Sequence, residues 1–252
     1  MSAAVTLAGW VVAAGGAVAA VGTRRVLGTR MESVARACHE LRGPLTAARL
    51  GLELGVRGGL SPARLRAIDL ELGRAAVALG DLADLGRIGK PSPSLGASAT
   101  EPLDACELIA DSIEAWRAVA TPAGVELRMT WSGESAAVFG ERFRLAQATG
   151  NLIANAIEHG GGTVEVRGRV ERSAVRIEVT DEGPGLSAPI PELARRARRR
   201  DRGGSRGHGL AVAAAVAAAH GGRLAAAPSE RGARLVLELP VAGERISAPG
   251  RG

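Results

Sequence analysis

The stretch TVEVRGRVERSAVRIEVTDEGPG, residues 163–185, decides how this chain reads. In "TVEVRGRV" (163–170) and "AVRIEVT" (174–180), apolar and polar residues alternate, as in strands with one face on a core and the other in water. The second strand runs into "DEGPG" (181–185), a glycine-rich turn. Upstream, helical patterns at about 104–120 ("DACELIADSIEAWRAVA") and 141–159 bracket a strand at about 125–131 and a short strand near Val138. Downstream come a basic irregular stretch, an Ala-rich helix at 209–219, and two closing strands at 222–227 and 233–239. Antiparallel strands with helices gathered on one face predict an α+β fold, an α/β two-layer sandwich.

The chain ahead of this unit has a different period. Residues 24–57 are helical by pattern, with Val26, Val34, Leu41, Leu45 and Leu52 on one stripe. "RGGLSPA" (57–63) interrupts them: Gly58 and Gly59 suit a helix C-terminus, and Ser61 before Pro62 suits an N-cap with proline at the first helical position. From Leu65 a second stripe runs through Ile68, Leu72, Ala75, Leu79, Leu82 and Gly86 to Ile88. Neither stripe has an evident partner within the chain, so residues 24–88 are expected to form a helical hairpin that dimerises into a four-helix bundle. "GKPSPSLGASATEP" (89–102) is a linker by composition, 103–242 the globular domain, and 243–252 a tail.

Residues 1–23 carry no charge, and "AAVTLAGWVVAAGGAVAAVG" (3–22) is long enough to cross a bilayer. Arg24, Arg25 and Arg30 follow the apolar run, which places the remainder in the cytoplasm and the chain in the cytoplasmic (inner) membrane as a single-pass protein. Net charge is +6, which raises the question of nucleic acid. Five aromatics, three Trp and two Phe, are too few for a base-stacking platform, and no nucleic acid is expected as a partner. Cys38 and Cys106 fit no metal-ligand spacing and read as packed thiols.

"CHELRGPLT" (38–46) sets a proline inside the first helix. Pro44 lacks an N–H and releases the Glu40 carbonyl from its helical bond, so the rod bends beside His39. Glu40 stands next to that imidazole, able to orient or deprotonate it. Asn151, Asn155 and His159 recur every four residues on one face of the 141–159 helix.

Four blocks now fall in order. "HELRGPLT" (39–46) resembles the phosphoacceptor box of sensor histidine kinases, "NLIANAIEH" (151–159) their asparagine box, "DEGPG" their DxGxG turn, and "GHGLAV" (207–212) their second glycine motif. The resemblance implies a membrane-anchored kinase of a two-component system, with a HisKA-type hairpin and a GHKL-type ATP-binding domain. It implies that His39 accepts the γ-phosphoryl of Mg-ATP and passes it to an aspartate of a response regulator. Asn155 would be the Mg²⁺ ligand, amide oxygen suiting a hard cation that also binds phosphates. Asn151 and His159 would face the nucleotide, and Asp181 would accept from the adenine amino group. Gly183 and Gly185 would let backbone approach the base, and Gly207, Gly209 and Leu210 would open a helix whose N–H groups favour phosphate. "ARRARRRDRGGSR" (194–206) would be a lid too charged to pack.

The chain departs from the family in places. Gly43 stands where Thr or Asn often places a water for dephosphorylating the partner, so weak phosphatase activity is expected. Glu158, His159 and His208 replace common Lys, Tyr and Leu. Two alternatives stay open from sequence: a non-catalytic adaptor with a degenerate nucleotide site, and a serine kinase or ATPase on the same fold.

Overall fold

The computed structural model describes residues 41–56, 58–85, 99–199 and 208–243. The proposed span 3–22, His39, Glu40, Gly207 and most of the linker lie outside them. Among the described residues no helix is long and apolar enough to cross a membrane.

Helix α1 covers 41–56 and α2 Pro62–Leu85. Their turn is built as its residues imply: Gly59 donates its N–H to the Gly55 carbonyl, and Ser61 Oγ accepts the Arg64 N–H. Then come β1 Thr100–Asp104, α3 Ala105–Ala120, β2 Glu126–Ser132, β3 Ala137–Glu141 and α4 Arg142–His159. After these follow β4 Thr163–Glu171, β5 Ala174–Thr180, α5 Ile190–Arg199, α6 His208–Ala219, β6 Arg223–Ala226 and β7 Arg234–Pro240.

Five strands form one sheet in the order β2-β4-β5-β7-β6. Its inner face, including Val164, Val166, Ile177, Leu235, Leu237 and Leu239, packs on Ile109 and Ile113 of α3, Leu152 and Ile153 of α4 and Ala213 and Ala217 of α6. This is the expected two-layer sandwich, with one correction. The sheet is mixed: β2 runs parallel to β4, while the other pairs are antiparallel. The chain leaves β2 through β3 and α4 before entering β4, and such a crossover returns it in the same direction.

Three further expectations are corrected. Residues 100–102, read as linker, belong to β1, which pairs antiparallel with β3 in a small second sheet. Part of the stretch read as irregular is α5: Ile190 is buried, Leu193 packs on the core, and the Pro189 carbonyl starts the helix by accepting from Glu192 and Leu193. Arg and Ala are good helix formers, and one apolar edge is enough to dock a helix however charged the rest is.

The third correction concerns the hairpin, because α2 does have a partner within the chain. Ala67 and Leu70 join the core cluster of the globular domain. Around them, Arg66 pairs with Asp111, Asp69 with Arg142, and Asp81 with both terminal nitrogens of Arg144. Leu65, Leu72 and Leu79, seven apart along the same helix, remain half exposed.

Candidate functional site

Helix α4 carries the first part of the site. Leu145, Ala146, Ala148, Leu152, Ile153 and Ala156 face the core, which leaves Asn151, Asn155 and His159 along its flank. Beyond β5, the chain turns at Asp181 directly beneath the C-terminal end of α4. A side chain at Gly183 would collide with the His159 carbonyl, so the close approach of turn and helix needs glycine there. Asp181 is nearly buried, and its Oδ1 accepts two backbone N–H groups, from Gly183 at 2.9 Å and from Ala233 at 3.0 Å. Asp181 N–H in turn reaches the Ala233 carbonyl at 3.0 Å. The carboxylate is therefore fixed by two separate segments and cannot swing.

These pieces line a half-open cavity of about 200 Å³, walled by Asn155, His159, Asp181, Gly185 and Leu210 with Leu186, Leu193 and Ala233 among others. Its shape and chemistry suit a purine: apolar walls, one fixed carboxylate, and polar groups at one side. Leu193 comes from α5, so part of the stretch read as irregular supplies a wall.

Five of the expected nucleotide residues thus converge. Gly183 and Gly209 do not line the cavity; the nearest neighbours of a side chain there would be the His159 carbonyl and Asn151, respectively. Asn151 behaves differently. Its Oδ1 accepts from Arg74 Nη2 and its Nδ2 donates to the Gly209 carbonyl, both at 3.4 Å, so its amide is engaged by protein and does not line the cavity.

Sequence reasoning missed several contributors. The Gly232–Ala233 segment fastens Asp181, and a side chain at Gly232 would strike the Asp181 carbonyl. Arg74 is 2% exposed and paired with Glu71, itself 1% exposed, at 2.6 Å. A Glu and an Arg three apart on a helix read as an ordinary surface pair, so nothing in the sequence marked them. Arg74 is covered by α4, where its guanidinium fills the space at Gly150. Arg74 also lies over the Trp116 ring, 5.6 Å from its centroid.

Among the described residues no group of three or more His, Cys, Asp and Glu could hold a metal ion. A cation such as Mg²⁺ takes one or two protein oxygens and completes its shell with phosphates and water. The Asn155 amide at the cavity rim is such an oxygen.

Residues 140–243 match the family described as Histidine kinase-, DNA gyrase B-, and HSP90-like ATPase. Sensor protein CutS of Streptomyces coelicolor is 33% identical over 221 residues, 82% of this chain and 52% of its own length. The signal transduction histidine-protein kinase BaeS of Escherichia coli is 31% identical over 227 residues, 84% of this chain and 47% of its own. The chain spans about half the length of these curated relatives. In fold it also resembles full-length ShkA, solved in complex with AMPPNP, with a TM-score of 0.52 at 23% identity over 84% of this chain and 46% of that one. Fixed aspartate, purine-sized cavity and a likeness that extends well ahead of the ATPase region agree: the chain belongs to the sensor histidine kinases and carries their GHKL-type ATP-binding domain.

Proposed function

We propose that the chain is a protein-histidine kinase that moves the γ-phosphoryl group of Mg-ATP to His39 and from there to an aspartate on a response regulator. The observation that carries this reading is the cavity in which Asn155, His159, Asp181, Gly185 and Leu210 meet. Asp181 would take the adenine amino group on the carboxylate oxygen not bound to Gly183 and Ala233. Asn155 would hold Mg²⁺, whose charge offsets that gathering on the phosphates. Gly207, Gly209 and the first turn of α6 would offer backbone N–H groups to phosphate. His39, oriented by Glu40, would attack in line; the bond to the β,γ-bridging oxygen breaks and ADP leaves.

The reading includes a homodimer in the cytoplasmic membrane, anchored through residues 3–22. The half-exposed Leu65, Leu72 and Leu79 of α2, with Leu45 and Leu52 of α1, support a second copy packing on the hairpin. Gly43 has no side chain to place a water, so phosphatase activity towards the regulator is weak.

Incubation with γ-labelled ATP tests the proposal. Acid-labile phosphate on the chain, lost in His39→Ala, is expected. Acid-stable label, or label that survives the substitution, would refute it.

A further inference from the structure

A second cavity, of about 260 Å³, lies where three helices meet, and it shares no lining residue with the cavity at Asp181. Ala47 and Gly51 of α1, Ala67 and Ile68 of α2, and Ala115 and Ala118 of α3 make its apolar walls, all of them buried. The hollow is what these side chains leave. α1 comes close to α2 at Gly51, where a first side-chain atom would stand 3.2 Å from Cγ1 of Ile68. On its apolar side α3 contributes only two alanines, and a leucine at either place would fill much of the space. Protein interiors hold few voids larger than a water molecule. An apolar cavity of about 150 Å³ takes up benzene, so this one has room for roughly ten non-hydrogen atoms.

The more exposed lining has the opposite chemistry. Arg64 of α2 stands there with Glu114, Arg117 and Thr121 from α3 and its C-terminal end. One carboxylate serves two guanidinium groups, and loosely: Arg64 Nη2 is 3.5 Å and Arg117 Nη1 3.9 Å from Glu114. Among the described residues the one hydrogen bond of the Arg64 side chain goes to the Gly59 carbonyl at 3.4 Å, long for such a bond. Two guanidinium groups against one carboxylate leave an excess of positive charge, with N–H donors to spare.

We propose that this cavity binds a small apolar carboxylic acid as its anion, the hydrocarbon part between α1, α2 and α3 and the carboxylate between Arg64 and Arg117. The planar guanidinium fork matches a carboxylate at two points. Glu114 keeps both arginines turned to the place, and burial of the hydrocarbon supplies the remaining affinity. An inorganic anion would leave the walls empty, and a plain hydrocarbon would leave the guanidinium groups unbound. The site is independent of the nucleotide reading.

Phenylacetate, of the size the cavity admits, is the probe, and phenylacetamide its uncharged counterpart. Ligand-detected NMR on the full chain in lipid nanodiscs, with empty nanodiscs as the blank, reads their binding. The parent should bind phenylacetate with a Kd at or below about 1 mM. It should prefer the anion to the amide at least about tenfold. Ala118→Leu fills the hollow and should weaken phenylacetate at least about tenfold. Arg64→Gln with Arg117→Gln leaves the walls intact and should bring phenylacetate down to the level of the amide, a readout that stands if the leucine disturbs packing. Absence of saturable phenylacetate binding by the parent would overturn the site. So would binding that a folded Ala118→Leu variant leaves undiminished, or a preference for the anion that survives loss of both arginines.

Discussion

The ring of Phe143, in the first turn of α4, occupies the space that a side chain at Gly73 of α2 would need. This contact, with the Arg144–Asp81 pair beside it, fixes how closely the hairpin and the ATP-binding domain approach. Gly73→Val should force them apart at an overpacking cost of about 1–3 kcal/mol. Faster proteolysis within 62–85, with the 103–242 domain still folded by circular dichroism, is the expected outcome.

Asp181 supports two roles that substitution can separate. Asp181→Ala strands the N–H groups of Gly183 and Ala233, and should cost about 1–3 kcal/mol of stability besides ending nucleotide binding. Asp181→Asn keeps the acceptor but turns an amide N–H₂ toward an adenine amino group, donor against donor. It should leave thermal stability nearly intact and weaken ADP at least about tenfold, as read by calorimetry.

Asn155 lies at the cavity rim and is only partly buried. Asn155→Ala should leave the melting temperature within about a degree or two, since surface-like substitutions shift stability little. Autophosphorylation should drop at least about a hundredfold, and excess EDTA should remove the activity of the parent chain in the same assay.

The outer face of the sheet predicts an acid-sensitive fold. Glu178 is buried there beneath Arg176 and Arg234, which bond its two oxygens at 2.7 Å each. Burial raises its carboxyl, but hydrogen bonds and charge from the two arginines outweigh that and hold it below the usual range. A lowered folded-state pKa means the contribution is full above the ordinary glutamate value of about 4.3 and is lost as pH falls through the lowered one. Denaturant midpoints should therefore decline on acidification below about pH 4. Glu178→Gln should be less stable at neutral pH and show a shallower decline.

Gly43→Thr bears on two readings together. A threonine side chain would press on Trp116, whose ring already stands 3.2 Å from the first added atom. Faster hydrogen exchange in α1 is expected, along with release of phosphate from a labelled response regulator that the parent chain leaves intact.

How much of this was legible beforehand varied by element. The alternation in 163–180 set out β4 and β5, and "DEGPG" set the turn under α4, because both depend on neighbours in the chain. The Ser61–Pro62 start of α2 was equally local. β1 was not legible: "TEPLD" becomes a strand only because β3 lies beside it. α5 was masked by its arginines, since its two apolar anchors, Ile190 and Leu193, form no stripe long enough to stand out.

The sequence by itself determined most of the helices and strands and the order of the motifs, since periodicity and turn chemistry act within a few residues. The tertiary structure alone decided that β2 runs beside β4 in the same direction, that α2 turns one face to the ATP-binding domain, and that Arg74 enters a slot at Gly150. Arg74 and Asn151 are 77 positions apart. Contact across that distance arises from how packed helices cross, and a helix of unpartnered sequence shows its face without showing what will cover it.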